Sequence, residues 1–261
     1  GLGRVESFNG GVPGYASRET LAAWDDRVAR VEPDVALFYL GWNDVKYMRT
    51  FRAGWDVDAY FAYRGELEAQ YRFLTAPWPL RNWYALEKMV TARLRATPLA
   101  ENRAPPTPPR AAATPWAESG GLAFFRRNVE TFVRRARADG ALPVLVAQVT
   151  LVVPDLAPHL RERVAYRFVR LGHETLVEIN DLMVDVLEAV AQAEDVPFVD
   201  VRPQMNGKAP FFADQVHLKA EGSRLLAWLL ARALAPELER RGLGADTSTR
   251  AGGRTRDAVG S

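Results

Sequence analysis

Val35-Ala36-Leu37-Phe38-Tyr39-Leu40, followed at once by Gly41-Trp42-Asn43-Asp44, is the stretch on which the fold turns. A continuous apolar run of this length reads as a parallel strand covered on both faces, with a polar turn at its carboxyl end. Upstream, Ser17 stands where a helix N-cap belongs, ahead of Leu21, Trp24, Val28 and Val31 at helical spacing, and Pro33-Asp34 closes that helix. Before it, Arg4 to Phe8 reads as a short strand ending in Asn9-Gly10-Gly11-Val12-Pro13-Gly14, where glycine supplies turn angles that other residues avoid. Downstream, Pro143 to Val149 and Val196 to Val201 repeat the apolar pattern, behind helical stretches at Ala123 to Ala138 and Arg161 to Ala193. Strands and helices alternate, which predicts a doubly wound α/β sheet.

Residues 50–116 break that rhythm. The segment carries Trp55, Tyr60, Phe61, Tyr63, Tyr71, Phe73, Trp78, Trp83 and Tyr84, then a proline-rich piece from Pro98 to Pro115, and reads as an inserted helical cap or lid with a loose linker. Residues 242–261 are rich in Gly, Thr, Arg and Asp, lack an apolar face and are expected to be disordered. The expectation is one α/β domain over residues 1–241 with a tail behind it.

Composition narrows the function classes. Of 261 residues, 48% are hydrophobic and 25% charged, the balance of a globular protein with a sizeable core. Cysteine is absent, which excludes thiolate zinc sites, iron–sulfur ligation, a cysteine nucleophile and disulfides. With 34 Lys and Arg against 32 Asp and Glu, the formal charge is +2, so nucleic acid is not an expected partner. His159 and His173 lie far from His217 in the sequence, and no metal site is expected. Arg126, Arg127, Arg134, Arg135 and Arg137 read as the solvated face of a helix whose buried stripe is Phe125, Val129, Phe132 and Val133. The longest apolar candidate, Leu225 to Leu234, is broken by Arg232 and is too short to cross a bilayer.

In open α/β sheets ligands bind at the carboxyl ends of strands, and three loops expected there carry unusual residues. They are Asn9 to Gly14, Gly41 to Asp44, and Asp214-Gln215-Val216-His217 after the last strand, and they are expected to converge. An Asp three residues before a His places a carboxylate against the imidazole, where it orients the ring and stabilises its charged form; the plain alternative is a surface histidine beside a capped helix. Asn43 offers an amide donor and Gly11 a backbone N–H of the kind that stabilises an oxyanion; the alternative for both is turn chemistry. Tyr15 and Trp42 are candidate walls of a substrate pocket.

These blocks, with Phe212-Ala213 before and Leu218 and Glu221-Gly222 after the Asp-x-x-His, resemble the SGNH or GDSL hydrolases in kind and order. The resemblance runs from about Arg4 to Leu234 apart from the insertion. It implies a flavodoxin-like three-layer α/β/α sandwich with a parallel sheet and a helical insertion after the third strand. It assigns His217 as general base, Asp214 as its orienting carboxylate, and Gly11 and Asn43 as oxyanion donors.

The family's Gly-Asp-Ser block is not in the chain. Ser7, Ser17, Ser119, Ser223, Ser248 and Ser261 stand in no nucleophile context, and Gly1 begins near the family's second strand. The expectation is therefore a hydrolase whose first strand and nucleophilic serine lie in a missing N-terminal segment. Acyl-enzyme chemistry without a cofactor on a small-molecule, glycan or lipid ester is the implied reaction; the opposing class is a non-catalytic carbohydrate- or lipid-binding module.

Overall fold

The computed structural model describes residues 5–52, 57, 60, 61, 115–169 and 171–242. The chain divides into two compact units, one formed by Gly1–Val45 with Phe125–Ser261 and the other by Lys46–Phe124. Most of the 50–116 insertion, with its suggested role as a lid, and the tail from residue 243 onward lie outside the described residues.

The first unit holds a parallel sheet of β1 (Val35–Phe38), β2 (Leu142–Val146) and β3 (Phe198–Val199), in that order. Val35 pairs with Leu142 and Phe38 with Leu145, while Leu145 pairs with Phe198 and Val146 with Val199. All five residues of β2 are buried, so both faces of the central strand are covered, which is the arrangement of an α/β/α sandwich. Pro143 is tolerated there because the next β2 amide to bond toward β3 is Leu145, which donates to the Pro197 carbonyl; a donor at 143 would fall short of β3.

Helices follow the apolar periodicity. In α1 (Ser17–Ala22) and α2 (Trp24–Arg27), Leu21 and Trp24 turn inward. Beyond α3 (Val45–Phe51), α4 (Gly120–Ala138) buries Phe125, Val129, Phe132 and Val133 and leaves Arg127, Arg134 and Arg137 exposed, whereas Arg135, expected on the solvated face, is half-buried and donates to the Leu21 carbonyl at 2.6 Å. Phe132 meets Phe38 of β1 edge-on at 5.1 Å between ring centroids and Trp24 at 5.5 Å. The short α5 (Pro158–Arg161) and α6 (Tyr166–Val169) precede α7 (His173–Ala193), which packs on β2 and β3 through Leu176, Ile179, Met183 and Leu187 among others. After β3 come α8 (Arg202–Met205) and the C-terminal α9 (Ala220–Arg240). No described helix is long and apolar enough to cross a membrane.

The second unit is described at its ends. Tyr47, Phe51, Tyr60, Phe61 and Phe124 form one aromatic cluster with centroid spacings of 5.2–5.9 Å. Gly121 permits it, since a Cβ there would stand 2.5 Å from Met48 Cα.

Several sequence expectations need correction. Val5 to Phe8 is not a strand, and Val5 and Phe8 are 74% and 60% exposed. A strand in that position needs a neighbour to bond to, and β1 pairs only with β2 among the described strands. The helix expected from Ser17 to Val31 is three pieces, α1, α2 and a 3₁₀ turn at Ala29–Val31. Ser17 is not the N-cap: Ala16 is, with its N–H donated to Glu19 Oε2 at 3.1 Å, which frees the Ser17 side chain to turn inward. The helix expected over 161–193 breaks into α5, α6 and α7, the last starting after Gly172. Each strand is shorter than its apolar run, because the ladder extends only as far as its partner.

Candidate active site

The Asp-x-x-His segment is a small closed loop. Phe212 and Leu218 form an antiparallel bridge across it, Ala213 N–H donates to the His217 carbonyl at 2.7 Å, and Lys219 N–H donates to the Phe211 carbonyl at 2.8 Å. Gly222, in the first turn of α9, lets the helix approach: a Cβ there would lie 2.5 Å from the Phe211 carbonyl oxygen. The far side of the loop is tied to the chain leaving β2, where the Gln215 carbonyl accepts from Leu151 N–H at 2.8 Å and from the Thr150 hydroxyl at 3.0 Å.

Inside that frame Asp214 folds back on its own loop. One carboxylate oxygen, Oδ1, accepts the N–H groups of Val216 and His217, both at 2.9 Å, and the other, Oδ2, lies 2.6 Å from His217 Nδ1. Partial burial pushes the Asp214 carboxyl up, but the backbone donors of His217 and Val216 and the imidazole outweigh it and hold the group below the usual carboxylate range. The His217 side chain is 76% exposed, so Nε2 is open to solvent on the side away from the carboxylate.

The Gly41–Asp44 turn follows β1. Trp42 N–H donates to Gln148 Oε1 at 2.7 Å, and Asp44 N–H donates to the Gly41 carbonyl at 2.8 Å. Asn43 sends one amide hydrogen to the Tyr15 carbonyl at 2.9 Å, joining this turn to the glycine loop. That loop makes its bend at Val12-Pro13-Gly14-Tyr15, where Tyr15 N–H donates to the Val12 carbonyl and Gly14 has φ of 82°, the geometry of a type II turn. Gly11 N–H donates to Asn9 Oδ1 at 2.9 Å.

Beneath the Asn43–Tyr15 contact is a buried polar triad that sequence reading missed. Asp44, 1% exposed, accepts the Ser17 hydroxyl at 2.5 Å and the Ser17 N–H at 3.1 Å, and Ser17 Oγ accepts from Asn128 Nδ2 at 2.8 Å. The signal was present: Asn128 interrupts the apolar stripe of α4 beside Val129, where a polar side chain needs a buried partner.

Neighbours of these residues share a pocket, whose lining includes none of Gly11, Asn43, Asp214 and His217 themselves. The pocket, of about 80 Å³, is lined by Gly41 and Trp42 on one side and by Val216 on the other. Trp42 lines this pocket, while Tyr15 does not and contributes its carbonyl to Asn43. His173 is buried elsewhere, between the Tyr166 hydroxyl and the Val153 carbonyl, each at 2.8 Å.

Comparison with known proteins gives the family of the chain. The sequence profile of the GDSL-like lipase/acylhydrolase family matches residues 1–225. No curated protein matches the chain. Among solved structures, a GDSL-like lipase from Bacteroides thetaiotaomicron is similar at 16% identity and a TM-score of 0.44, over 86% of this chain and 73% of that one. A putative acylhydrolase from Bacteroides fragilis stands at 14% identity and 0.44, over 86% and 72%. A catalytic mutant of an acetylxylan esterase from Geobacillus stearothermophilus stands at 14% and 0.43, over 85% and 68%.

Proposed function

The chain belongs to the GDSL-like lipase/acylhydrolase family and is an ester-bond hydrolase, and from that premise we propose how its residues carry the reaction. His217 is the general base and Asp214 fixes its tautomer. With Nδ1–H given to Asp214 Oδ2, the lone pair of Nε2 takes the proton of an attacking serine hydroxyl, and the serine oxygen bonds to the ester carbonyl carbon. The resulting oxyanion is met by the second amide hydrogen of Asn43 and by Gly11 N–H, which turns from Asn9 Oδ1 to the substrate. Collapse expels the alcohol, which takes its proton from His217, and water then releases the acid by the same route in reverse. The residues need no cofactor for this sequence.

The attacking serine is assigned to a segment outside these 261 residues that adds to the open edge of β1. Two observations support this. On β1, Leu37 is 46% exposed between buried Ala36 and Phe38, an apolar side chain with no cover on a strand that pairs on one side only among the described strands. The described serines are also otherwise placed: Ser7 is exposed in the irregular N-terminal stretch outside any strand-to-helix turn, Ser17 and Ser119 are buried, with Ser17 held by Asp44 and Asn128, and Ser223 is exposed on α9.

The observation that carries the reading is the Asp214–His217 contact at 2.6 Å, pinned by two backbone donors. The test is hydrolysis of p-nitrophenyl acetate by protein expressed from the reading frame extended upstream, beside His217→Ala and Asn43→Ala. Turnover lost in His217→Ala supports the assignment. Turnover unchanged in both variants contradicts it, and no turnover on a wider ester panel favours the non-catalytic binding module.

A further inference from the structure

The pocket under Trp42 holds a group of donors that the reaction does not use. On α7, Asn180 occupies a position between Leu176 and Val184, four residues from each on the same helical face, and its Nδ2 is buried with no hydrogen-bond partner among the described residues. A buried donor left unpaired forfeits its hydrogen bonds to water with nothing in return, so its retention calls for a partner. Gln148 and Asn206 line the same space. Their carbonyl ends are engaged, Gln148 Oε1 by Trp42 N–H at 2.7 Å and Asn206 Oδ1 by Thr150 N–H at 2.8 Å, which leaves the amino end of each carboxamide toward other partners. Three carboxamides therefore line one pocket, and Asn180 supplies its buried, unpartnered donor.

The charges in the lining are already paired. Arg202 gives its guanidinium to Asp200 at 2.8–3.1 Å and to Asp181 at 3.2 Å, so neither an anion nor a cation gains a free counter-charge there. About 80 Å³ is several times the roughly 10–15 Å³ that one ordered water requires, which is room for a group of a few heavy atoms. Trp42, Val216 and Met183 supply an apolar wall for its carbon atoms.

We propose that this pocket is a subsite for a compact, neutral, oxygen-bearing part of the ester substrate, with the Asn180 amide donating to its hydroxyl or carbonyl oxygen. The inference rests on the reading of Gly41–Asp44 and Asp214–His217 as the reaction centre, because Trp42 and Val216, the chain neighbours of Asn43 and His217, line the pocket. Asn180 then selects hydroxylated over purely hydrocarbon substrates. The oxygen belongs either to the acyl half or to the alcohol half of the ester.

Isosteric pairs that exchange one hydroxyl for one methyl test this by binding, without turnover. The acyl-half pair is 3-hydroxybutyrate against 3-methylbutyrate, and the alcohol-half pair is propane-1,2-diol against 2-methylpropan-1-ol. Each is titrated into the wild-type chain, Asn180→Leu and Asn180→Ala, with side-chain amide resonances as the readout. The hydroxyl member of one pair is expected to bind about fivefold more tightly to wild type, as one hydrogen bond allows, and the preference to vanish in both variants. The pair that shows it identifies the half. Equal binding within both pairs, or a preference that survives both substitutions, overturns the proposal. The preference without esterase activity in protein expressed from the extended reading frame keeps the subsite and discards the reaction; activity there without the preference does the reverse.

Discussion

The Asp214–His217 loop and the Asn9–Tyr15 loop are read as two halves of one reaction centre, yet they are held in different ways. The first is closed on itself by the Phe212–Leu218 bridge, braced by the close approach of Gly222, and tied to Thr150 and Leu151. The second is exposed over most of its length, and its link to the Gly41–Asp44 turn is the Asn43–Tyr15 bond above the Ser17–Asp44–Asn128 triad. The half proposed to carry the base is thus preformed by backbone geometry, whereas the half proposed to meet the oxyanion depends on a few buried side chains. The Gly11 N–H, turned to Asn9, has still to reorient in the proposed reaction.

This contrast can be broken from either side. The largest effect is expected from His217→Ala, which removes proton transfer and should lower kcat/KM for p-nitrophenyl acetate by about 10³-fold with the melting temperature unchanged, since the side chain is exposed. Asn43→Ala removes the proposed oxyanion donor and should cost about 10²-fold in kcat. Unlike His217→Ala it should also loosen the glycine loop, read as faster amide exchange at Tyr15. Gly222→Ala places a methyl carbon against the Phe211 carbonyl and should lower both stability and turnover by displacing the Asp-x-x-His loop, while hydrogen exchange in the glycine loop stays as it was. Asp44→Asn should do the opposite, at a cost of about 2 kcal/mol in urea unfolding, by breaking the buried triad and leaving the Asp214–His217 loop intact.

The smallest effect lies in alkaline solution. Burial pushes the Tyr39 phenol up to about 12, against an ordinary value near 10, opposed by Val149 N–H, which donates to its oxygen. The folded state holds this proton more tightly than the unfolded chain, so the associated stability is complete below pH 10 and is lost as pH rises from about 10 to 12. Urea unfolding between pH 9 and 11 should show this loss, on the order of 1 kcal/mol, and Tyr39→Phe should remove that slope.

The sheet was legible because its strands are short apolar runs at predictable intervals, and the Asp-x-x-His geometry was legible because three residues of separation suffice to close it. What escaped reading depends on partners distant in sequence. Ser17 looked like a cap because its neighbours are helical, but Ala16 and Glu19 do the capping and Ser17 answers to Asp44 and Asn128, 27 and 111 residues away. Val5 to Phe8 has strand composition, yet a strand exists only where another strand accepts its hydrogen bonds. Gly172 marked the break in the long C-terminal-half helix, and Asn128 and Asn180 marked buried polar positions by interrupting apolar stripes; both signals were in the sequence.

The central claim is that His217 activates a serine that meets it at these strand ends. The most direct measurement is labelling by a fluorophosphonate probe of protein expressed from the extended reading frame, with peptide mapping of the adduct, in wild type and His217→Ala. The account predicts stoichiometric labelling of one serine from the segment that pairs with β1, abolished in His217→Ala. Labelling that is absent from wild type, or that proceeds equally without His217, would contradict it.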